Sequence, residues 1–177
     1  MNFLGLFNSP TIFVLGAVIL VALIAVFTTL KPSPKRVIED IEKILKESNI
    51  DYTLNLSENK NYTLDLTINN VTYTTLVLPI EKFAEVTINN FNTWEMHYGA
   101  GDKPGKAQPF KTKIVEIPGF MNVEKENKLV IIQPNAKQIV YWKNENEIVD
   151  VLPHNKIYNV NIVNIRDLPK LFIKENK

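Results

Sequence analysis

Residues 11–30 form an unbroken apolar run of twenty residues, and the first charged side chain of the chain, Lys31, follows it directly. Thirteen of the twenty are Leu, Ile, Val or Phe. Because a helix rises about 1.5 Å per residue, such a run spans roughly 30 Å, the thickness of a bilayer's hydrocarbon core. At roughly −0.3 to −0.6 kcal/mol for each large apolar residue, insertion is favoured by about 4 to 8 kcal/mol. The run therefore predicts a single transmembrane helix.

An uncleaved anchor fits this segment better than a signal peptide. A signal peptide has a basic n-region and an apolar core of about 7–15 residues, whereas here no basic residue precedes the run and the run is longer. Residues 1–10 are a short apolar segment ahead of the span. The residues that we expect to contact the bilayer along the span include Thr11, Phe13, Leu15, Leu20, Leu23, Phe27 and Leu30.

The charges that flank the span predict its orientation. Lys31, Lys35 and Arg36 follow the apolar run, and no cationic side chain precedes it. Because positive charge stays on the cytoplasmic side, we expect the rest of the chain to face the cytoplasm, or the capsid-facing side of an internal viral membrane.

Three N-glycosylation patterns, at Asn55, Asn61 and Asn70, favour the opposite orientation. The chain contains 21 asparagines, so chance alone produces about two such triplets. These patterns therefore do not outweigh the flanking charges.

Residues 31–49 read as a short linker followed by an amphipathic helix at about 34–48. Pro34 suits a first helical position, and Ser33 can cap the helix. The apolar residues recur at helical spacing: Val37, Ile38, Ile41, Ile44 and Leu45. A membrane-surface role and packing on a sheet are both open. We favour packing, because the polar face is rich in acidic rather than basic residues.

Residues 50–177 predict an antiparallel β domain. Alternating apolar and polar residues predict strands at 50–56, 62–68 and 71–78, with a hairpin turn at Asn69 and Asn70. Further strands are predicted near 83–88, 93–98, 110–117, 129–133, 138–143, 147–152 and 156–165. Such short, regularly spaced strands are typical of a sandwich, a jelly roll or a small barrel. The tail after Pro169 is expected to dock as an edge strand or to reach a partner.

Composition and motifs argue against several functions. The chain carries 20 Lys+Arg and 19 Asp+Glu, so it lacks the basic excess of a nucleic-acid binder. It contains no cysteine, which excludes thiol catalysis and thiolate metal sites. The Gly-rich stretch 99–106 does not have the spacing of a phosphate-binding loop, and neither histidine lies in a metal-binding motif. We therefore expect no catalytic residue, cofactor, metal or small-molecule ligand.

Four residues are candidate contacts for partner proteins. Lys103 and Lys106 lie in the long loop at 99–109, and Tyr141 and Trp142 are adjacent in a predicted strand. Since neighbouring strand residues point to opposite faces, one of these two rings should be exposed.

The expected function is that of a non-enzymatic structural protein, anchored by 11–30 and contacting other proteins at the membrane. The A/T-rich codons implied by 18 lysines against 2 arginines would suit a minor component of a membrane-containing viral particle. Two alternatives stay open: an accessory subunit of an energy-converting or transport complex, and an anchored ligand-binding or hydrolytic domain.

Overall fold

The structure, a computed structural model, describes Gly16, residues 34–98 and residues 110–173. The predicted membrane span at 11–30 therefore lies outside the described residues, apart from Gly16. Across the described part of the chain, no helix is both long and apolar enough to cross a bilayer.

The described residues form a mainly β fold with two sheets and few helices. The helices are α1 (Pro34–Glu47), α2 (Glu116–Met121) and a 3₁₀ helix (Ile165–Leu171). Sheet A has the spatial order β1 (Tyr52–Leu56), β2 (Leu64–Ile68), β3 (Val71–Pro79), β7 (Lys128–Gln133), β11 (Val160–Asn164) and β10 (Lys156–Ile157). Sheet B has the order β6 (Phe110–Lys113), β5 (Thr93–Tyr98), β4 (Glu85–Asn90), β8 (Gln138–Asn144) and β9 (Glu147–Asp150).

Helix α1 covers the outer face of sheet A, and the helix predicted at 34–48 is thereby confirmed. Its buried stripe, Val37, Ile41 and Leu45, packs against sheet residues such as Leu64 and Ile131. Full burial of an aliphatic side chain contributes about 1.5–3 kcal/mol, so this stripe stabilises the docked helix substantially. The predicted sheet-packing role of the helix is the one that the structure shows.

The main core lies between the two sheets, as in a β-sandwich. Trp94 from sheet B and Ile132 from sheet A are both buried there. Helix α2 adds Ile117 and Phe120 to the same core. The alternation predicted the buried residues of β2 correctly, whereas Leu56 of β1, expected on the buried face by the same pattern, is 62% exposed.

The β2–β3 hairpin agrees with its prediction. Asn69 and Asn70 have φ values of 51° and 62°, and a two-residue type I′ turn requires positive φ at both central positions. Because asparagine tolerates this conformation, the sequence specifies the turn and thereby the pairing of Ile68 with Val71.

The expectation of a purely antiparallel domain is wrong. Strand β7 lies parallel to both β3 and β11, and β8 lies parallel to β4. The chain passes from sheet A to sheet B through two short links, 80–84 after β3 and 134–137 after β7. Because β3 and β7 are parallel, both links begin at the same end of sheet A. The two links stack, since Ile80 N–H donates to the Gln133 carbonyl at 3.0 Å and Lys137 N–H to the Ala84 carbonyl at 2.8 Å.

Three local predictions also need correction. The strand predicted at 110–117 ends at Lys113, and helix α2 follows. The strand predicted at 156–165 is a β10–β11 hairpin, whose turn residues Tyr158 and Asn159 have positive φ. The described part of the tail after Pro169 is not an edge strand, because the 3₁₀ helix continues to Leu171, and Leu171 and Phe172 pack against the apolar cluster beneath α1.

Candidate functional site

A cleft lies where the two links meet α1 and the start of the 3₁₀ helix. We call it the corner cleft, and its volume is about 590 Å³. Helix α1 contributes residues at i, i+3, i+4 and i+7, and the rest come from the links and the 3₁₀ helix. The lining residues are Asp40, Lys43, Ile44, Glu47, Lys82, Phe83, Gln133, Pro134, Asn135, Ile165 and Arg166.

One wall of the corner cleft holds a buried amide. Gln133 Nε2 donates to Asp40 Oδ2 at 2.6 Å. Gln133 Oε1 is buried and has no hydrogen-bond partner among the described residues. An unsatisfied buried acceptor of this kind costs about 1–3 kcal/mol of stability.

The rim of the same cleft carries a strained aromatic residue. Phe83 has a φ of 64° and is 73% exposed. Lys82 Nζ lies 5.4 Å from the centre of the Phe83 ring. Positive φ is uncommon for a bulky residue, and such strain clusters at binding sites. The sequence pattern predicts a strand near 83–88 that would include Phe83, but this strand begins at Glu85.

A second polar cluster lies on the outer face of sheet B, around Glu95. This side chain is only 7% exposed, and its Oε2 accepts from Asn89 Nδ2 at 2.7 Å and pairs with Lys111 Nζ at 2.8 Å. His97 Nε2 lies 3.8 Å away. Burial by itself would raise the pKa of Glu95, but the Lys111 and Asn89 hydrogen bonds and the charges of Lys111 and His97 outweigh it and lower that pKa. A carboxylate held ionised in this way is suited to fixing the strands rather than to proton transfer near neutral pH.

The Glu95 cluster makes stability depend on acid pH. The folded-state pKa of Glu95 lies below its ordinary value of 4.5, so its ionisation stabilises the fold above that pH and ceases to do so as the pH falls through the lower folded-state pKa. We expect Glu95→Gln to lower the free energy of unfolding at pH 7, with the difference from wild type shrinking below about pH 4.5. Urea unfolding across this range measures the effect. An unchanged gap at low pH would contradict it, and Glu124→Gln, at an exposed glutamate, is the matched control.

Trp142 and Tyr141 take the opposite faces that alternation predicts. Tyr141 packs against the inner core, and its hydroxyl donates to the Tyr158 hydroxyl at 3.3 Å. This hydrogen bond, with burial and the neighbouring phenol, raises the pKa of Tyr158 to about 12. Trp142 is 40% exposed on the outer face of sheet B. Lys103 and Lys106, the other predicted partner contacts, lie outside the described residues.

Trp142 belongs to an apolar surface that the sequence analysis did not identify as a unit. It pairs across the β8–β9 hairpin with Ile148, which is 54% exposed. Val149 pairs with Tyr141 and therefore lies on the opposite face of the sheet. We call Trp142 and Ile148 the hairpin patch. Both side chains lie on the β8–β9 hairpin at one edge of sheet B and are exposed in the described fold.

Comparison with known proteins does not assign this chain to a family. No protein-family model matches it, and neither the curated proteins nor the solved structures include a significant match. Function must therefore be argued from the hairpin patch, the corner cleft and the Glu95 cluster themselves.

These three features differ in what they can do chemically. Among the described residues, no group of three or more His, Cys, Asp or Glu side chains is placed to hold a metal ion. The carboxylate of Glu95 is already paired with Lys111, whereas the corner cleft and the hairpin patch are accessible to a ligand or a partner. The sequence signals for the corner cleft and the Glu95 cluster were weak, because residues that meet in the fold, such as Glu95 and Lys111, are distant along the chain.

Proposed function

We propose that this protein is a non-enzymatic structural or interaction protein held at a membrane by residues 11–30. The hairpin patch is the observation that carries the proposal. Its two side chains, Trp142 and Ile148, pair across one hairpin and are 40% and 54% exposed. Single exposed apolar residues are ordinary, but an adjacent pair that includes a tryptophan is typical of a protein-binding surface.

The proposed setting follows from the anchor. The cations after the apolar run favour a β domain on the cytoplasmic side, or on the capsid side of an internal viral membrane. A minor component of a membrane-containing particle and an accessory subunit of a membrane complex both satisfy this arrangement. The proteins that co-purify with the chain distinguish the two.

The native mass of the full chain, extracted from its source in mild detergent, tests the proposal. We expect a large complex for the wild type and a markedly smaller one for Ile148→Glu, because a charge on the hairpin patch opposes apolar contact. Phe83→Glu is the control, since Phe83 is 73% exposed and lies outside sheet B. A particle of about the 20.3 kDa chain mass plus a micelle would contradict the proposal.

The corner cleft supports a second candidate function, the binding of a small ligand. The exposed Phe83 ring favours a ligand with a planar group. The cations on the cleft, Lys43, Lys82 and Arg166, outnumber the two carboxylates and favour an anionic group. Adenosine monophosphate combines these properties and is a suitable probe.

This second candidate predicts chemical-shift changes at cleft residues when adenosine monophosphate is titrated into the isotope-labelled protein. Phe83→Ala should weaken binding at least several-fold, because it removes the stacking surface. Phe91→Ala changes a ring outside the cleft and serves as the control. Absence of any shift at millimolar nucleotide would contradict a nucleotide-like ligand.

A further inference from the structure

Strand β1 is an edge of sheet A that lacks the usual protection against pairing. It pairs with β2 on one side only, and its register with β2 contains no bulge. Natural edge strands are commonly protected by charged side chains, proline or a bulge. Strand β1 reads Tyr-Thr-Leu-Asn-Leu, without a charge or a proline. The other edge strands of the described sheets carry charges: Lys111 and Lys113 on β6, Glu147 and Asp150 on β9, and Lys156 on β10.

One apolar side chain of this edge is exposed although it belongs to the face that packs beneath α1. Leu56 pairs with Leu64, which is completely buried, and paired residues share a face. Leu56 itself is 62% exposed. The residues on either side of β1 along the chain, 48–51 and 57–61, are described and leave this side chain uncovered. Sheet A thus ends at an apolar position that one more strand would cover.

The backbone groups of β1 alternate between β2 and the open edge. Ser57 N–H donates to the Thr63 carbonyl at 3.0 Å, and these two residues continue the register of β1 with β2. Every second residue before Ser57 therefore also directs its N–H and C=O groups toward β2. The intervening residues direct theirs to the open edge. These residues are Tyr52, Leu54 and Leu56.

This phase allows β1 to pair with β1 of a second copy. An antiparallel pair centred on Leu54 sets Leu54 beside its own counterpart and Tyr52 beside Leu56 of the second copy. All five residues of each strand are then paired, and the outward N–H and C=O groups meet in hydrogen-bonded pairs. The Tyr52 ring covers the exposed Leu56 of the other copy, and no charged residue of either strand enters the contact.

We propose that two copies of this protein join their A sheets through β1, in an antiparallel pair centred on Leu54. Because both copies use the same strand, the contact is two-fold symmetric and closes at a dimer. The edge that is open in the single chain becomes the middle of a continuous sheet, which removes the exposed pairing groups of β1.

The dimer suits two copies anchored in one membrane. Both α1 helices lie on the same face of the joined sheet, because paired residues share a face. A two-fold axis perpendicular to a membrane relates two copies anchored in it, and the axis of this pairing is perpendicular to sheet A. A five-residue pair is a small contact, so anchoring strengthens it by raising the effective concentration. In this respect the inference rests on the proposed function, which holds the chain at a membrane by residues 11–30.

Site-specific cross-linking tests the pairing in the full chain, purified in mild detergent and reconstituted into phosphatidylcholine vesicles. The chain contains no cysteine, so Thr53→Cys and Asn55→Cys each introduce a single thiol at an exposed position. The pairing sets Thr53 opposite Asn55 of the second copy in a non-hydrogen-bonded pair. The Cα atoms of such a pair are about 4.5 Å apart, which a disulfide spans, whereas diagonal neighbours are about 7–8 Å apart.

Oxidation of an equal mixture of the two variants, carrying tags of different size, should therefore yield the mixed disulfide dimer well beyond its statistical share. Asn92→Cys is the matched control, since it makes the same change at an exposed asparagine between β4 and β5. Mixed with Thr53→Cys, it should give no excess of the mixed dimer.

A proline at position 56 provides an independent measurement by sedimentation. The Leu56 N–H points to the open edge, so Leu56→Pro removes a donor of the dimer without removing one from the β1–β2 ladder. By symmetry the dimer loses one donor at each end, and self-association should weaken at least about ten-fold. Leu56→Ala is the matched control, because it shortens the side chain but keeps the N–H, and it should weaken association much less. Urea unfolding checks that the two variants are similarly stable.

The outcomes separate this inference from the proposed function. A mixed disulfide no more abundant than in the Asn92→Cys control, or equal association of Leu56→Pro and Leu56→Ala, would overturn the dimer. The proposed function would then still be decided by Ile148→Glu, because the hairpin patch lies on sheet B. If Leu56→Pro reduced the native complex although no mixed disulfide formed, β1 would pair with a strand of another protein, which also overturns the dimer.

Discussion

Replacing Trp94 with alanine is expected to lower the free energy of unfolding by about 3–5 kcal/mol. Trp94 is completely buried between the two sheets. The deletion removes the contacts of a large ring from both sheets and leaves a cavity that the surrounding strands can fill only in part. Urea unfolding at neutral pH measures the change.

Trp94→Phe separates ring packing from the indole N–H. Trp94 Nε1 is buried without a hydrogen-bond partner among the described residues, so phenylalanine removes an unsatisfied donor while it keeps an aromatic ring. We expect Trp94→Phe to cost less than half as much as Trp94→Ala. The two variants losing the same stability would contradict this account.

The second tryptophan provides the matched position and a spectroscopic signal. The chain has two tryptophans, and Trp142 is 40% exposed. Trp142→Ala is expected to cost less than about 1 kcal/mol, as is usual at the surface. In Trp142→Phe, the remaining fluorescence reports Trp94 alone and should shift to longer wavelength on unfolding.

The sequence predicted those elements whose signal is local. Helix α1 follows from five apolar residues at helical spacing, and the Asn69–Asn70 turn follows from the tolerance of asparagine for positive φ. The opposite faces of Tyr141 and Trp142 follow from strand alternation.

Pairing partners and short elements could not be predicted in the same way. Alternation identifies the face on which a residue lies but not the neighbouring strand, so it cannot reveal that β3 lies beside β7. Helix α2 spans six residues, too few to show a helical period, and it contains Pro118 and Gly119. Pro118 is tolerated because, in the first turn, its missing N–H has no partner within the helix.

The candidate site was less predictable than the fold for the same reason. Glu95 and Lys111 meet because β5 and β6 pair, and Gln133 meets Asp40 across 93 residues of chain. Phe83 adopts a positive φ that no residue preference signals, since asparagine and glycine are the usual residues there. Of these residues, only Trp142 could be identified as a candidate contact, because the alternation within its own strand predicts that Trp142 or Tyr141 is exposed.

Replacing Leu45 with alanine is expected to lower the free energy of unfolding by about 2–5 kcal/mol. Leu45 is fully buried in the cluster between α1 and sheet A, together with Ile41 and buried residues of four sheet strands. Leucine and alanine are both good helix formers, so the loss measures the docking of the helix rather than its intrinsic stability.

The exposed face of the same helix provides the control for this substitution. Glu39→Ala makes the same change to alanine at an exposed position and should alter stability by less than about 0.5 kcal/mol. Urea unfolding followed by circular dichroism measures both variants, and amide exchange shows whether α1 opens before the sheets in Leu45→Ala. A cost below about 1 kcal/mol at Leu45 would mean that the helix is peripheral. A large cost with faster exchange confined to α1 would show that the buried apolar stripe holds the helix on sheet A. The acidic face of the helix is then not needed for docking and is exposed to solvent.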